Sequence, residues 1–196
     1  MNNLVVFASG GGSNFRNIFK NTQNNKIEDC KVSLLVSNNS NSNAILYAKE
    51  QKIDTFIINQ QRYPDKQEYI EALINKISQY HPSLVVLAGY MKLIPKKIIN
   101  RFKNKIINIH PGKLPEFGGK GYYGMNIHRA VIDSGAKSTA VTVHHVNEEY
   151  DRGMIIHEEI IDVMKEDTPE TLSERVLEYE HKIYSDVINK IINGKK

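Results

Sequence analysis

Apolar residues in this chain gather in short continuous runs, each followed by a stretch in which they recur at three- and four-residue intervals. LVVFAS at residues 4–9 is the first run; GGGSN follows, and then NFRNIFKNT, where Phe15, Ile18 and Phe19 share one helical face. CKVSLLVSN at 30–38 repeats the run, and SNSNAILYAKEQK repeats the stripe behind Ser and Asn cap residues. TFIIN and DKQEYIEALINKISQY form a third pair, with Tyr69, Leu73 and Ile77 on one face. PSLVVLAGY predicts a buried strand, PKKIINRF a short helix with Pro at its first position, and KIINIH a fifth strand. After an irregular segment at about 111–124 come a helix at about 125–134, the cleanly alternating TAVTVHHV, then GMIIHEEIIDV, and a long amphipathic helix with Thr168 as N-cap and Pro169 next. Strands apolar on both faces, alternating with helices, predict an α/β fold: a mostly parallel twisted sheet with helices on both faces, a late antiparallel strand and a long C-terminal helix.

Length and composition narrow the picture without changing it. A chain of 196 residues reads as one domain, and 40% hydrophobic with 24% charged residues excludes a disordered chain. No segment reaches the roughly 18 apolar residues of a membrane span, and MNNLVVF has no basic leader. Cys30 is the only cysteine, so no internal disulfide or Cys-x-x-Cys site is available, and a cytoplasmic location is expected. The net charge is +4, yet the only dense basic clusters, Lys96-Lys97 and Lys195-Lys196, are short. A small anionic substrate suits that balance better than nucleic acid.

Three features carry candidate chemistry. GGGSN at 10–14 lies between the first strand and first helix, where free N–H groups and the helix dipole favour an anion such as phosphate. It is not the dinucleotide fingerprint, because Phe15 holds the last glycine position and the second strand ends in Ser37-Asn38 rather than an acid. Asn108 and His110 stand at the carboxyl end of the fifth strand, and a period-two strand points both side chains to one face. Asp151, in the turn EEYDRG, is a candidate third member: a carboxylate beside an imidazole orients it and favours its charged form. No serine or cysteine stands in a nucleophile's setting, so the substrate must bring its own. His144 and His145 point to opposite faces and His157 lies on the next strand, which gives no convergent metal site. His128 and His181 read as polar-face or crevice-rim residues. A nucleotide-binding module without catalysis would also account for the glycine turn and the alternating fold.

ASGGGSN, LAGYMKLIP at 87–95, INIHPGKLP at 107–115, TAVTVHHVNEEYDRG at 139–153 and EYEHKIY on the last helix together resemble the phosphoribosylglycinamide formyltransferase family, in order and over essentially the whole chain. The resemblance implies a Rossmann-like fold and formyl transfer from 10-formyltetrahydrofolate, a co-substrate, to the amine of glycinamide ribonucleotide in purine biosynthesis, without a metal. It implies Asn108, His110 and Asp151 as the catalytic trio, with His110 protonated. It implies Gly12, Ser13, Asn14 and Glu180 on the ribonucleotide, and Lys66, Met91, Lys92, Leu93, Ile94 and Asn108 on the folate. Residues 1–100 would form the phosphate- and substrate-binding half of one domain, and residues 101–196 the catalytic and folate-binding half. Two relatives of the same group, methionyl-tRNA formyltransferase and formyltetrahydrofolate deformylase, carry an added domain for which a chain running from Met1 to Lys196 has no room. The chain departs from the family's short bacterial form in GGKGYYGMN, an insertion between Leu114 and His128, and in Leu177 at a commonly polar position.

Overall fold

Alternate residues of the first strand enter different cores. In β1 (Asn2–Phe7), Leu4 and Val6 pack to one face of the sheet and Val5 and Phe7 to the other, which is why the run is apolar without a break. The computed structural model describes residues 1–194; Lys195 and Lys196, one of the two basic clusters, lie outside them. The remaining elements are α1 (Ser13–Gln23), β2 (Cys30–Ser37), α2 (Asn43–Glu50), β3 (Asp54–Ile57), α3 (Lys66–Ser78), β4 (Leu84–Leu87) and α4 (Lys96–Arg101). β5 (Ile106–His110), α5 (Met125–Asp133), β6 (Ser138–His145), β7 (Ile155–Asp162) and α6 (Pro169–Asn193) complete the chain.

The strands form one sheet in the order β3-β2-β1-β4-β5-β6-β7. β1 to β5 run parallel, β6 runs against β5, and β7 against β6. The direction of winding reverses between β1 and β4, so the loops that leave their carboxyl ends diverge and open a crevice there. α1, α2, α5 and α6 contribute Phe15, Ala44, Ile127, Leu172 and Tyr184 to one core layer, and α3 and α4 contribute Leu73, Ile77 and Ile98 to the other. The boundary expected near residue 100 falls between β4 and β5, which are hydrogen-bonded neighbours in this sheet.

The starts of α1 and α6 are fixed in different ways. α1 starts at Gly12, whose φ of 73° is left-handed and whose missing Cβ would stand 2.7 Å from Cβ of Ala44. α6 is entered through Thr168 and Thr171, each side chain bonding the other's backbone N–H, as the Thr-Pro pair predicts. Tyr184, fully buried, donates from its hydroxyl to the carbonyl of Leu87 at 2.8 Å and so ties α6 across the end of β4. Asn21 on α1 reinforces the same packing through Ser185 at 2.8 Å. Among the described residues no helix is long and apolar enough to cross a membrane.

Candidate active site

A cavity of about 620 Å³ opens at the carboxyl ends of β1, β4 and β5, at the reversal of winding. Asn108 and His110 reach its floor from β5 on one face of the strand, as the two-residue period requires. Asp151 reaches it from the turn before β7, with a left-handed φ of 54° that an aspartate tolerates. Its Oδ1 lies 3.6 Å from Nδ1 of His110, so two distant segments of sequence do meet.

The same oxygen lies 3.6 Å from Nε2 of His144, and Asn108 Nδ2 is 3.2 Å from that nitrogen. His144 therefore belongs to the cluster, although neither its type nor its spacing singled it out. The signal that finds it is register, because Asn108 and His144 stand directly across from each other in the β5–β6 ladder. His144 Nδ1–H donates to the carbonyl of His145 at 2.9 Å, which turns Nε2 toward the Asn108 amide and Asp151. His110 Nε2–H donates to the carbonyl of Phe117 at 2.7 Å, which leaves its Nδ1 facing the carboxylate. Two imidazoles thus turn a ring nitrogen toward one carboxylate oxygen, each at 3.6 Å.

Burial outweighs the neighbouring carboxylate at His110 and holds it below the ordinary histidine range, with Asp151 and the Phe117 bond pulling the other way. Burial thus opposes the charged form of His110 that the Asp151 partnership favours. Asp151 also loses solvent, but the His144 and His110 rings and the N–H of Gly119, which donates to Oδ2 at 3.0 Å, hold it below the usual carboxylate range. His128 departs from expectation as well: it is buried on α5 rather than at a polar rim, and burial, followed by His110, pushes it down to about 4.

Ser13, Asn14 and Glu180 line the cavity. α1 has no side-chain cap, so no side chain satisfies the N–H groups of its first turn. Gly12 itself is not in the wall; it shapes the turn against Ala44. Met91, Lys92, Leu93 and Ile94 form another stretch of wall, held by the N–H of Met91 donating to Oγ of Ser9 at 2.9 Å. Lys66 is not brought to the cavity; it is the exposed first residue of α3, just after the Asp65 cap. The glycine-rich segment contributes Lys120, Tyr122 and Tyr123, which the sequence marked only as part of a loop.

Glu180 gives a pH test of this geometry. Burial pushes its carboxyl up to about 7, offset only in part by the bond to Asn14. Between the ordinary value of 4.5 and about 7 the folded chain keeps a proton that the unfolded chain has released. Its contribution to stability is therefore complete below 4.5 and is lost as pH rises through 7. His128, lowered, acts with the opposite sign, losing its contribution as pH falls. Thermal melts of Glu180→Gln against the parent from pH 4.5 to 8 should show the variant gaining relative stability as pH rises. A difference independent of pH would contradict a protonated buried acid at this position.

A doubly wound sheet with an open helix start and an amide, two imidazoles and a carboxylate at its switch point defines an α/β protein with a polar ligand crevice. Residues 2–188 match the model of the formyl transferase family. The chain is 34% identical over 192 residues to a phosphoribosylglycinamide formyltransferase of Bacillus subtilis, covering 98% of this chain and 95% of that one. It is 42% identical over 189 residues to the chloroplastic phosphoribosylglycinamide formyltransferase of Arabidopsis thaliana, covering 96% of this chain and 64%, less than two thirds, of that relative's length. In structure it resembles glycinamide ribonucleotide transformylase 1 from Symbiobacterium toebii, with a TM-score of 0.90, 31% identity, and coverage of 99% of this chain and 89% of that one. The chain belongs to the formyl transferase family, on its phosphoribosylglycinamide formyltransferase branch.

Proposed function

We propose that the chain transfers a formyl group from 10-formyltetrahydrofolate to the amine of glycinamide ribonucleotide, giving formylglycinamide ribonucleotide and tetrahydrofolate. The observation that carries this reading is Asp151 Oδ1 standing 3.6 Å from an imidazole nitrogen of each of His110 and His144, beside an Asn108 amide bonded at 3.2 Å to His144.

The amine attacks the formyl carbon, a new carbon–nitrogen bond forms, and negative charge grows on the formyl oxygen. One Asn108 N–H is held by His144, and the other is free to donate to that oxygen. Attack makes the amine nitrogen more acidic, and its proton passes to the cluster of Asp151 and the two rings, where the facing nitrogens have room for it. As the tetrahedral intermediate collapses, the bond from carbon to the folate nitrogen breaks and that nitrogen receives the proton. Atoms and charge balance without any group beyond the two substrates.

Ser13 and Asn14 with the N–H groups of α1, shaped by Gly12, bind the phosphate in this reading, and Glu180 faces the glycinamide portion. Met91, Lys92, Leu93 and Ile94 form the folate slot, and Lys66, outside the cavity, is left to act only on a tail that extends beyond it. The half before residue 100 supplies the phosphate grip, and the half after it supplies the chemistry. The single thiol, Cys30, is buried and held above its ordinary value by that burial, which suits work in a reducing cytoplasm. The test is formyl transfer by the purified chain from 10-formyltetrahydrofolate to glycinamide ribonucleotide, followed by tetrahydrofolate release. Binding of the phosphorylated substrate with no product would instead leave a binding module.

A further inference from the structure

Lys120 lines the same cavity as Ser13 and Asn14 and makes no ion pair among the described residues, whereas Lys96 and Lys113 pair with Glu148 and Glu116. Its backbone is fastened on both sides. Gly119 and Gly121, at φ of 100° and 99°, adopt conformations open to glycine, and Gly119 N–H donates to Asp151 at 3.0 Å. On the other side the Tyr122 ring packs edge-on against Phe117, with centroids 6.5 Å apart. The lysine is thus carried on a strap tied to the catalytic cluster, rather than on an unsupported loop tip.

Among the described residues the phosphate grip has no cation of its own on α1. Arg16, on α1, holds its guanidinium 5.0 Å from the centre of the Tyr47 ring, bonds the carbonyl of Asn43 at 3.4 Å, and is not in the cavity wall. Lys92, the other lysine of the wall, belongs to the 91–94 stretch. The wall also carries the carboxylates of Glu149 and Asp151, so a phosphate bound by neutral N–H groups alone would meet an acidic surrounding. We propose that Lys120 is the counter-ion of the substrate phosphate, laid over the anion from the glycine-flanked strap. This rests on the reading of the substrate as a phosphorylated amine and adds the group that discriminates for the phosphate.

The experiment compares Lys120→Ala, Lys120→Arg and the parent in two assays. In steady-state kinetics, Lys120→Ala should raise KM for glycinamide ribonucleotide about 10- to 100-fold, the loss of one charge-assisted bond, with kcat changed far less. KM for the folate should hold, and Lys120→Arg should recover most of the loss. The dephosphorylated substrate, glycinamide riboside, should show no such difference between parent and variant. Equal losses with both amine substrates would overturn the proposal in favour of a structural role, and a loss confined to the folate would assign the lysine to the folate's carboxylates. Calorimetric titration with ribose 5-phosphate needs no turnover: parent binding weakened about tenfold or more by Lys120→Ala supports the phosphate contact even if formyl transfer itself fails. Unchanged ribose 5-phosphate binding overturns it.

Discussion

Asp151→Asn should leave a folded chain that binds both substrates and transfers formyl about 10²- to 10⁴-fold more slowly, the range typical of a lost general acid–base group. Asparagine keeps the shape and tolerates the left-handed backbone at 151, and its amide oxygen can still accept the N–H of Gly119. What disappears is the charge. In the proposed mechanism the carboxylate oxygen between His110 and His144 no longer attracts a proton into the gap, and the proton leaving the amine has no resting place on its way to the folate nitrogen. The fall should therefore appear in kcat, with KM for each substrate within a few-fold of the parent. Single-turnover rates at saturating substrate would measure it, and a variant as fast as the parent would remove Asp151 from the chemistry.

Gly153→Ala should damage the same site through the backbone. A Cβ on Gly153 would fall 1.6 Å from the carbonyl oxygen of His145, a contact that requires the turn to move because the obstacle is main chain. The neighbouring N–H of His145 donates to the carbonyl of Met154 at 2.9 Å, so displacing the turn also strains the entry to the β6–β7 ladder. Overpacking of this kind costs about 1–3 kcal/mol, equivalent to a Tm lowered by roughly 2–12 °C in a chain of this size. The rate should fall further than the stability loss alone implies, because Asp151 is two residues away and reacting groups displaced by about 1 Å lose roughly 10²-fold. Thermal melts and turnover below the melting range would separate the two effects. Parent-like values in both would show that the turn relaxes without moving the carboxylate.

Much of the architecture was legible in the chain because its causes are local. Apolar runs broken by glycine turns mark strands buried on both faces, and the Thr168-Pro169 pair marks a helix start, whatever surrounds them. Asn108 and His110 could be assigned to one face from the strand period alone. His144 could not. In a pair of adjacent histidines one faces the site and the other turns away, and the choice depends on alignment with β5 and on the register shift between Val143 and His144. His128 shows the same limit from the other side: a histidine on an amphipathic helix reads as polar rim until α5 is laid against the sheet and buries it.

By itself, then, the sequence determined the order of strands and helices, the glycine turn at the start of α1, and the amide, imidazole and carboxylate that meet at the crevice. The tertiary structure decided that His144 joins them, that Lys66 stands outside the cavity while Lys120 lines it, and that burial opposes the charged form of His110. The division has one physical cause. Periodicity and turn chemistry are properties of neighbouring residues, whereas desolvation and charge proximity arise only when segments as far apart as 110, 144 and 151 are brought within a few ångströms.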